Sequence, residues 1–152
     1  MKTIPLTRGL VALVDDADFD WLSAYKWHAK NVGKGRFYAA FGSRMLLMHR
    51  MILPGVPEVD HYNRNTLDNQ RHNLRPATHT QNLHNSGRHR DGSSGFKGVS
   101  WSKIRHRWRA QIQSDYLGLF STEEAGARAY DAEAVERFGE FAYVNFPRKA
   151  NT

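Results

Sequence analysis

The sequence has 152 residues and a formal net charge of +7, from 22 Lys and Arg against 15 Asp and Glu. Its 40% hydrophobic and 12% aromatic content excludes an intrinsically disordered chain, and the absence of cysteine excludes disulfides and cysteine-based zinc sites. The charge favours a polyanionic partner, and without a signal-like start or a membrane-length apolar run we expect a soluble cytoplasmic protein.

The first 46 residues predict a small mixed α/β platform. IPLTRGLVALVD is typical of two short strands around a turn at Arg8-Gly9. The acidic stretch that follows predicts a helix with Asp15 or Asp16 at its N-cap. FYAAF and RMLLMH indicate two further strands.

Residues 47–86 predict the order strand, loop, strand, helix. EVDHYN and NLRPAT have the composition of paired strands, and a long polar excursion joins them. Thr78 and Gln81 have the T-x-x-Q spacing of a capping box, so a helix is expected to begin there with Asn82 in its first turn.

This polar segment carries residues suited to phosphodiester hydrolysis. His61 could accept a proton from water, and the oxygens of Asp60 and Asn82 suit a hard cation such as Mg²⁺. Adjacent residues of a regular strand point to opposite faces, so joint use of Asp60 and His61 requires a twist or bulge.

The segment resembles the HNH homing endonucleases, whose fold is the ββα-metal motif. The resemblance includes the Asp60-His61 pair, Asn73 twelve residues beyond His61, and Asn82 nine residues beyond Asn73. It implies that Asp60 and Asn82 bind a divalent metal, Mg²⁺ or Mn²⁺, that His61 activates water and that Asn73 orients the imidazole. A phage or bacterial cell is implied as well.

Other residues near this motif have open roles. His79 and His84 are alternatives to Asn82 if the helix register differs by one turn. Arg71 and Arg75 either face solvent or clamp a phosphate of the substrate.

Residues 87–94 lie in a stretch rich in Gly, Ser and charge, which predicts a flexible linker. Beyond it, FKGVSW, RWRAQIQ and YLGLF predict three antiparallel strands. Ser121 to Glu124 read as an S-x-x-E capping box that opens a helix, with a small-residue face expected at Ala125, Ala129, Ala132 and Val135.

The middle of this module is basic and contains no acidic residue from Phe96 to Gln113. Strand alternation places Arg107, Arg109 and Gln111 on one face and Trp108, Ala110 and Ile112 on the other. A basic sheet face can read base edges in the major groove, while neighbouring cations hold phosphates.

The motifs FKGVSW, WRAQI, YLGLF, EEAGARAYDAEAV and NFP resemble the plant ethylene-response-factor domain, also called the apetala-type domain, over Ser94 to Pro147. That resemblance implies DNA recognition through the sheet. The positions that the resemblance carries over as DNA contacts are Lys97, Ser100, Ser102, Gln113 and Tyr116. The basic segment itself adds the candidates Lys103, Arg105, Arg107, Arg109 and Gln111.

The sequence therefore predicts an α+β protein with a ββα-metal core, a small mixed N-terminal platform, and a three-stranded antiparallel sheet packed on one helix. The expected segments are a platform (1–46), a nuclease core (47–86), a linker (87–94), a DNA-binding module (95–147) and a tail (148–152). The predicted function is a metal-dependent DNA endonuclease that acts on double-stranded DNA, with no membrane association and no obligate protein partner. The alternatives are a non-catalytic DNA-binding or regulatory protein that uses the HNH core as a scaffold, and a basic RNA-binding protein.

Overall fold

The computed structural model describes residues 1–33, 35–87 and 92–147. The chain forms two compact units, Met1–Asn82 and Leu83–Thr152, and the division falls inside the third helix. Residues 88–91 of the predicted linker and the predicted tail at 148–152 lie outside the described residues. No helix in the described ranges has the length and apolar character needed to cross a membrane. Several small sheets with helices confirm the α+β class.

The first unit consists of short antiparallel pairings. Its strands are β1 (Lys2–Pro5), β2 (Val11–Val14), β3 (Trp27–Asn31), β4 (Phe37–Phe41), β5 (Leu46–Leu47), β6 (Glu58–His61) and β7 (Leu74–Ala77). Its helices are α1 (Asp16–Ser23), α2 (Met48–Ile52) and the first residues of α3 (His79–Asn85). β1 pairs with β2, β3 with β4 and β4 with β5, while β6 and β7 form a separate ribbon.

Most elements of this unit agree with the sequence, with two differences. The hairpin around Arg8-Gly9 and the strands β6 and β7 are confirmed. The strand β3 was not predicted, and the strand expected in RMLLMH ends at Leu47, where α2 begins. Met48 and Ile52 are both buried, and their spacing is that of one helical face rather than of a strand.

One hydrophobic core joins the platform and the segment that carries the polar loop. It includes Ile4, Val14 and Leu22 from the platform and Met48, Val59 and Leu74 from the residues beyond it. A fully buried side chain of this size contributes about 2 kcal/mol. The predicted boundary between residues 46 and 47 therefore falls within a single core.

The platform also holds the loop between β6 and β7. Leu13 of β2 donates its backbone N–H to the carbonyl of Leu67 and accepts from the N–H of Asn69, each at 2.8 Å. A loop fixed by backbone hydrogen bonds loses much of its freedom, so the platform restricts where the loop side chains can lie.

In the second unit, the strands β8 (Val99–Ser102), β9 (Arg107–Ile112) and β10 (Asp115–Phe120) form one antiparallel sheet with β9 in the centre. Helix α4 (Glu123–Phe138) packs on it, as predicted. Gly98, at φ +77°, lies so close to Tyr130 that an added Cβ would be 2.0 Å from the ring. The glycine of FKGVSW is therefore required by packing as well as by its backbone conformation.

The start and the buried face of α4 differ from the sequence-based prediction. Thr122, not Ser121, is the N-cap, and its side chain accepts from the N–H of Ala125 at 3.2 Å. The buried face contains Gly126, Ala127, Tyr130 and Ala134, whereas Val135 is 53% exposed. The predicted face of small residues was wrong because the large ring of Tyr130 requires burial and directs its own side of the helix to the sheet.

Candidate functional site

Asp60 and His61 are the last two residues of β6, and both are buried. The ribbon pairs Asp60 with Arg75 and His61 with Leu74, in a continuous register without a bulge. The two side chains therefore alternate between opposite faces of the ribbon. The register contains no bulge, so joint use of the two residues rests on the twist of the ribbon.

Arg75 forms an ion pair with Asp60 across the ribbon. Its Nε and Nη2 lie 2.8 and 2.7 Å from the same carboxylate oxygen, Oδ2. The guanidinium also lies 4.9 Å from the centre of the Tyr62 ring. Since the Arg75 side chain is only 13% exposed, it is not a solvent-facing charge but a partner that offsets the buried charge of Asp60.

The imidazole of His61 lies among aromatic and amide side chains. Its ring centroid is 5.0 Å from that of His49 and 6.0 Å from that of Tyr38. Burial lowers the pKa of His61, while the nearby Asn69 side chain and the charges of Asp60 and Asp68 act in the opposite direction. His61 is thus neutral at pH 7, and Asn69 with the two carboxylates offsets only part of the effect of burial on its pKa.

The Asn73 side chain forms its hydrogen bonds within the loop between β6 and β7. Its Oδ1 accepts from the backbone N–H of Asn63 at 2.9 Å, and its Nδ2 donates to the carbonyl of Asp68 at 2.8 Å. The amide that lies beside the imidazole is that of Asn69, which is fully buried. The sequence offered no signal to select Asn69, because the loop contains several asparagines with the same chemistry.

Asn82 lies in the first turn of α3, where the predicted capping box is confirmed. Thr78 donates its N–H to Gln81 Oε1 at 2.8 Å, and Gln81 donates its N–H to Thr78 Oγ1 at 3.2 Å. Asn82 Nδ2 donates to Glu58 Oε2 at 2.9 Å. Alternation along β6 puts Glu58 on the same face as Asp60, so this bond brings Asn82 to the Asp60 side of the ribbon.

Glu58 was not among the predicted site residues. Its second oxygen, Oε1, lies 3.0 Å from Nδ1 of His79, which is therefore also held near Asn82. Hydrogen bonds from Asn82 and then from His79 lower the pKa of Glu58. The detectable signal was its position two residues before Asp60, which on a strand means the same face.

The donor set on this face suits a hard cation. Within the ranges that the structure describes, no group of three or more His, Cys, Asp or Glu side chains could hold a metal ion. Asp60 and Asn82 offer a carboxylate and an amide oxygen, which are the ligand types that Mg²⁺ takes when water and substrate complete its coordination. Because Nδ2 of Asn82 is committed to Glu58, Oδ1 is the atom available as a ligand.

Arg71 is attached to the platform. Its Nε and Nη2 lie 2.7 Å from Oδ2 and Oδ1 of Asp18 on α1, and its backbone N–H donates to Asp15 at 2.7 Å. Asp18 is buried, and the hydrogen bond from Arg71 is the main reason why its pKa is lowered. This bidentate geometry makes Arg71 a structural link between the loop and α1.

In the second unit, the register groups the polar candidates on one sheet face. Ser100 lies opposite Arg109, Ser102 opposite Arg107, and Tyr116 opposite Gln111. The predicted sharing of faces by Arg107, Arg109 and Gln111 against Trp108, Ala110 and Ile112 is confirmed by this pairing. The exposed turn between β8 and β9 adds Lys103 and Arg105.

The remaining candidates of this unit are tied to its own backbone or rings. Lys97 Nζ donates to the carbonyls of His84 and Ser86 at 2.9 and 2.7 Å. The ring of His84 stacks on Phe138 with centroids 3.7 Å apart, and Gln113 Nε2 lies 3.5 Å from its Nε2. The structure therefore places Lys97, Gln113 and His84 in a local cluster that stabilises the end of α3.

Comparison with known proteins shows which family the chain belongs to. Over 151 residues the chain is 32% identical to an uncharacterized HNH endonuclease of Acanthamoeba polyphaga mimivirus, covering 91% of this chain and 76% of that protein. The chain belongs to the HNH endonuclease family. No family model and no solved structure matches this HNH protein.

A second similarity is partial. The HNH chain is 44% identical over 61 residues to the APETALA2-like protein 2 of Oryza sativa subsp. indica, covering 36% of the chain and 14% of the plant protein. It is 41% identical over 61 residues to an AP2-like ethylene-responsive transcription factor of Arabidopsis thaliana, covering 36% of the chain and 11% of the plant protein. The similarity to plant proteins thus involves one portion of each.

Proposed function

We propose that this HNH protein is a divalent-metal-dependent DNA endonuclease of the homing type. Its catalytic residue is His61, its metal ligands are Asp60 and Asn82, and the polar sheet face of its second unit binds double-stranded DNA. The observation that carries the proposal is the position of these three residues on β6 and at the start of the helix that follows the ribbon. Family membership supplies the reaction class.

The chemistry of His61 follows from its surroundings. Because burial lowers its pKa, the imidazole is neutral at pH 7 and can take a proton from a water molecule as that water attacks phosphorus and a P–O bond of the DNA breaks. The imidazolium that forms is favoured by Asn69 and by the charges of Asp60 and Asp68. These groups therefore stabilise the protonated His61 that forms during the reaction, while burial keeps the ring neutral before the reaction begins.

Asp60 and His61 have separate tasks in this proposal, and the twist of the ribbon would have to bring both to the same phosphate. Asp60 and the Oδ1 of Asn82 would hold the cation, which supplies positive charge to the phosphate oxygens. Arg75, as the existing partner of Asp60, offsets the charge of the buried carboxylate and orients it.

The second unit would provide the affinity that a small nuclease core lacks. On its sheet, Arg109 lies 5.8 Å from the ring centroid of Tyr116, so an exposed cation and an exposed aromatic ring share one face with Ser100 and Gln111. Within the described residues, no carboxylate pairs with Lys103, Arg105, Arg107 or Arg109. These cations are available to phosphates, and the similarity to APETALA2-like proteins supports DNA as the ligand.

Plasmid nicking tests the proposal. With Mg²⁺ or Mn²⁺ we expect relaxed or linear DNA from the wild-type chain, and a loss of at least about 100-fold in rate for His61→Ala. His72→Ala, at an exposed histidine of the same loop, is the matched control and should cut normally. Fluorescence anisotropy should find unchanged DNA affinity in both variants. Tight binding without cleavage in either metal would instead support the non-catalytic scaffold, and equal affinity for single-stranded RNA would support the RNA-binding alternative.

A further inference from the structure

Glu58 contacts two side chains in the first turn of α3. Its Oε2 accepts from Asn82 Nδ2 at 2.9 Å, and its Oε1 lies 3.0 Å from His79 Nδ1. Glu58 opens β6 opposite Ala77, at the end of the ribbon from which α3 departs. One carboxylate thus connects the strand that carries Asp60 to the helix that carries Asn82.

The bond to Asn82 determines which end of its amide faces the site. An asparagine can present either an oxygen or an NH₂ group, and the two ends have nearly the same shape. An ionised carboxylate only accepts hydrogen bonds, so it selects the NH₂ end. With Nδ2 held by Glu58, Oδ1 leaves the same carbon in another direction and is free of that carboxylate.

We infer that Glu58 is a positioning residue of the metal site, which orients the Asn82 amide with its oxygen towards the cation. The inference rests on the proposed function, in which Asp60 and Asn82 hold that cation. Glu58 itself is not a ligand, because both of its oxygens already contact α3. Partners behind the ligands of a metal typically change its affinity by about 10–100-fold when they are replaced.

A purely structural role for Glu58 would give a different result. In that case the carboxylate would only fasten α3 to β6, and its loss would lower stability without a specific effect on metal affinity. Glu58→Gln separates the two roles, because glutamine has the same shape but can donate to Asn82 and allow its amide to turn. The NH₂ end of the Asn82 amide, which cannot bind a cation, would then face the metal site.

The test is direct binding of Mn²⁺ to the full chain, followed by the electron paramagnetic resonance signal of free Mn²⁺. We expect Glu58→Gln to weaken Mn²⁺ binding by about 10-fold or more relative to wild type. Asn82→Ala removes the proposed ligand itself, so it gives the Mn²⁺ affinity that is left without Asn82. His79→Gln removes the other partner of Glu58 and should change the affinity less than Glu58→Gln does. Circular dichroism melts establish that each variant is folded.

Exchanging the carboxylate and the amide between positions 58 and 82 should restore Mn²⁺ binding. In Glu58→Gln combined with Asn82→Asp, the glutamine can donate to one carboxylate oxygen at position 82 and leave the other for the cation. This double variant should recover most of the Mn²⁺ affinity that Glu58→Gln loses, and it supplies the test if the single variant fails to fold.

The outcomes distinguish the inference from the proposed function. If Glu58→Gln binds Mn²⁺ as tightly as wild type while Asn82→Ala does not, Glu58 has no positioning role and the metal site itself stands. If the wild-type chain does not bind Mn²⁺, or if Asn82→Ala binds it equally well, the metal site as proposed is wrong and the inference falls with it.

Discussion

The imidazoles of His49 and His61 meet edge to face, with ring centroids 5.0 Å apart and ring planes inclined by 85°. His49 belongs to α2 and His61 to β6, and both are buried. Burial first, and then the neighbouring His61 and Arg50, lower the pKa of His49 to about 3. Because His49 stays neutral, it can pack against the ring of His61 without taking up the proton that His61 accepts in the proposed reaction.

This relationship predicts a loss of stability in mild acid. Below pH 6.5 the unfolded chain protonates His49, whereas the folded chain excludes that proton until the pH approaches about 3. The difference in protonation of His49 lowers the free energy of unfolding by about 1.4 kcal/mol for each pH unit as the pH falls from 6.5 towards 3. His49→Leu should therefore flatten the decline measured by urea denaturation between pH 6.5 and 5. His72→Leu, at an exposed site, should not, and an unchanged slope in His49→Leu would contradict the prediction.

Asn69 should influence both the rate and the pH profile of cleavage. The Asn69 side chain raises the pKa of His61 against the effect of burial, so Asn69→Ala should move the acid limb of kcat to lower pH and reduce kcat on the order of tenfold. Asn69→Asp adds a negative charge beside the ring and should move the same limb to higher pH. Opposite shifts in the two variants, measured with folded protein, are the expected result. Shifts in the same direction would refute contact between Asn69 and the imidazole.

Arg71 is expected to contribute to stability rather than to DNA binding. Arg71→Ala leaves the buried carboxylate of Asp18 without its bidentate partner, and we expect a loss of about 1–2 kcal/mol in the free energy of unfolding. This range is modest because the Arg71 side chain is 53% exposed. Arg44→Ala, at another exposed arginine of the first unit, is the control. A variant of normal stability with weakened DNA binding would restore the phosphate-clamp interpretation of Arg71.

The basic sheet face should determine the salt dependence of DNA binding. Arg107→Ala and Arg109→Ala should each reduce the slope of log K against log salt by about 1, since each removes one phosphate contact. Arg137→Ala is the matched control, because Arg137 is already paired with Asp115 and Glu133. Titrations by fluorescence anisotropy at several salt concentrations give the slopes. Equal slopes for all three variants would exclude this face as the DNA contact.

The local elements of this protein could be predicted from the sequence where short-range chemistry decides them. The T-x-x-Q spacing fixed the start of α3 because both hydrogen bonds of the box lie within four consecutive residues. Alternation along β9 likewise placed Arg107, Arg109 and Gln111 on one face. At α4, Ser121 and Thr122 are both suitable N-caps, so the sequence could not select one. In the structure Thr122 is the N-cap, and Glu123 next to it accepts hydrogen bonds from Ser94 and Gly95.

The sequence by itself predicted the HNH-like set of Asp60, His61, Asn73 and Asn82, and it determined the strand, strand, helix order that carries this set. Only the tertiary structure decided which of the loop asparagines meets the imidazole, that Arg71 binds Asp18, and that Glu58 holds Asn82. The physical reason is that amides, carboxylates and guanidinium groups form the same hydrogen bonds with any suitable partner. Which partner each one meets depends on how the platform, the loop and the ribbon pack on their common core, and that packing joins residues far apart in the chain.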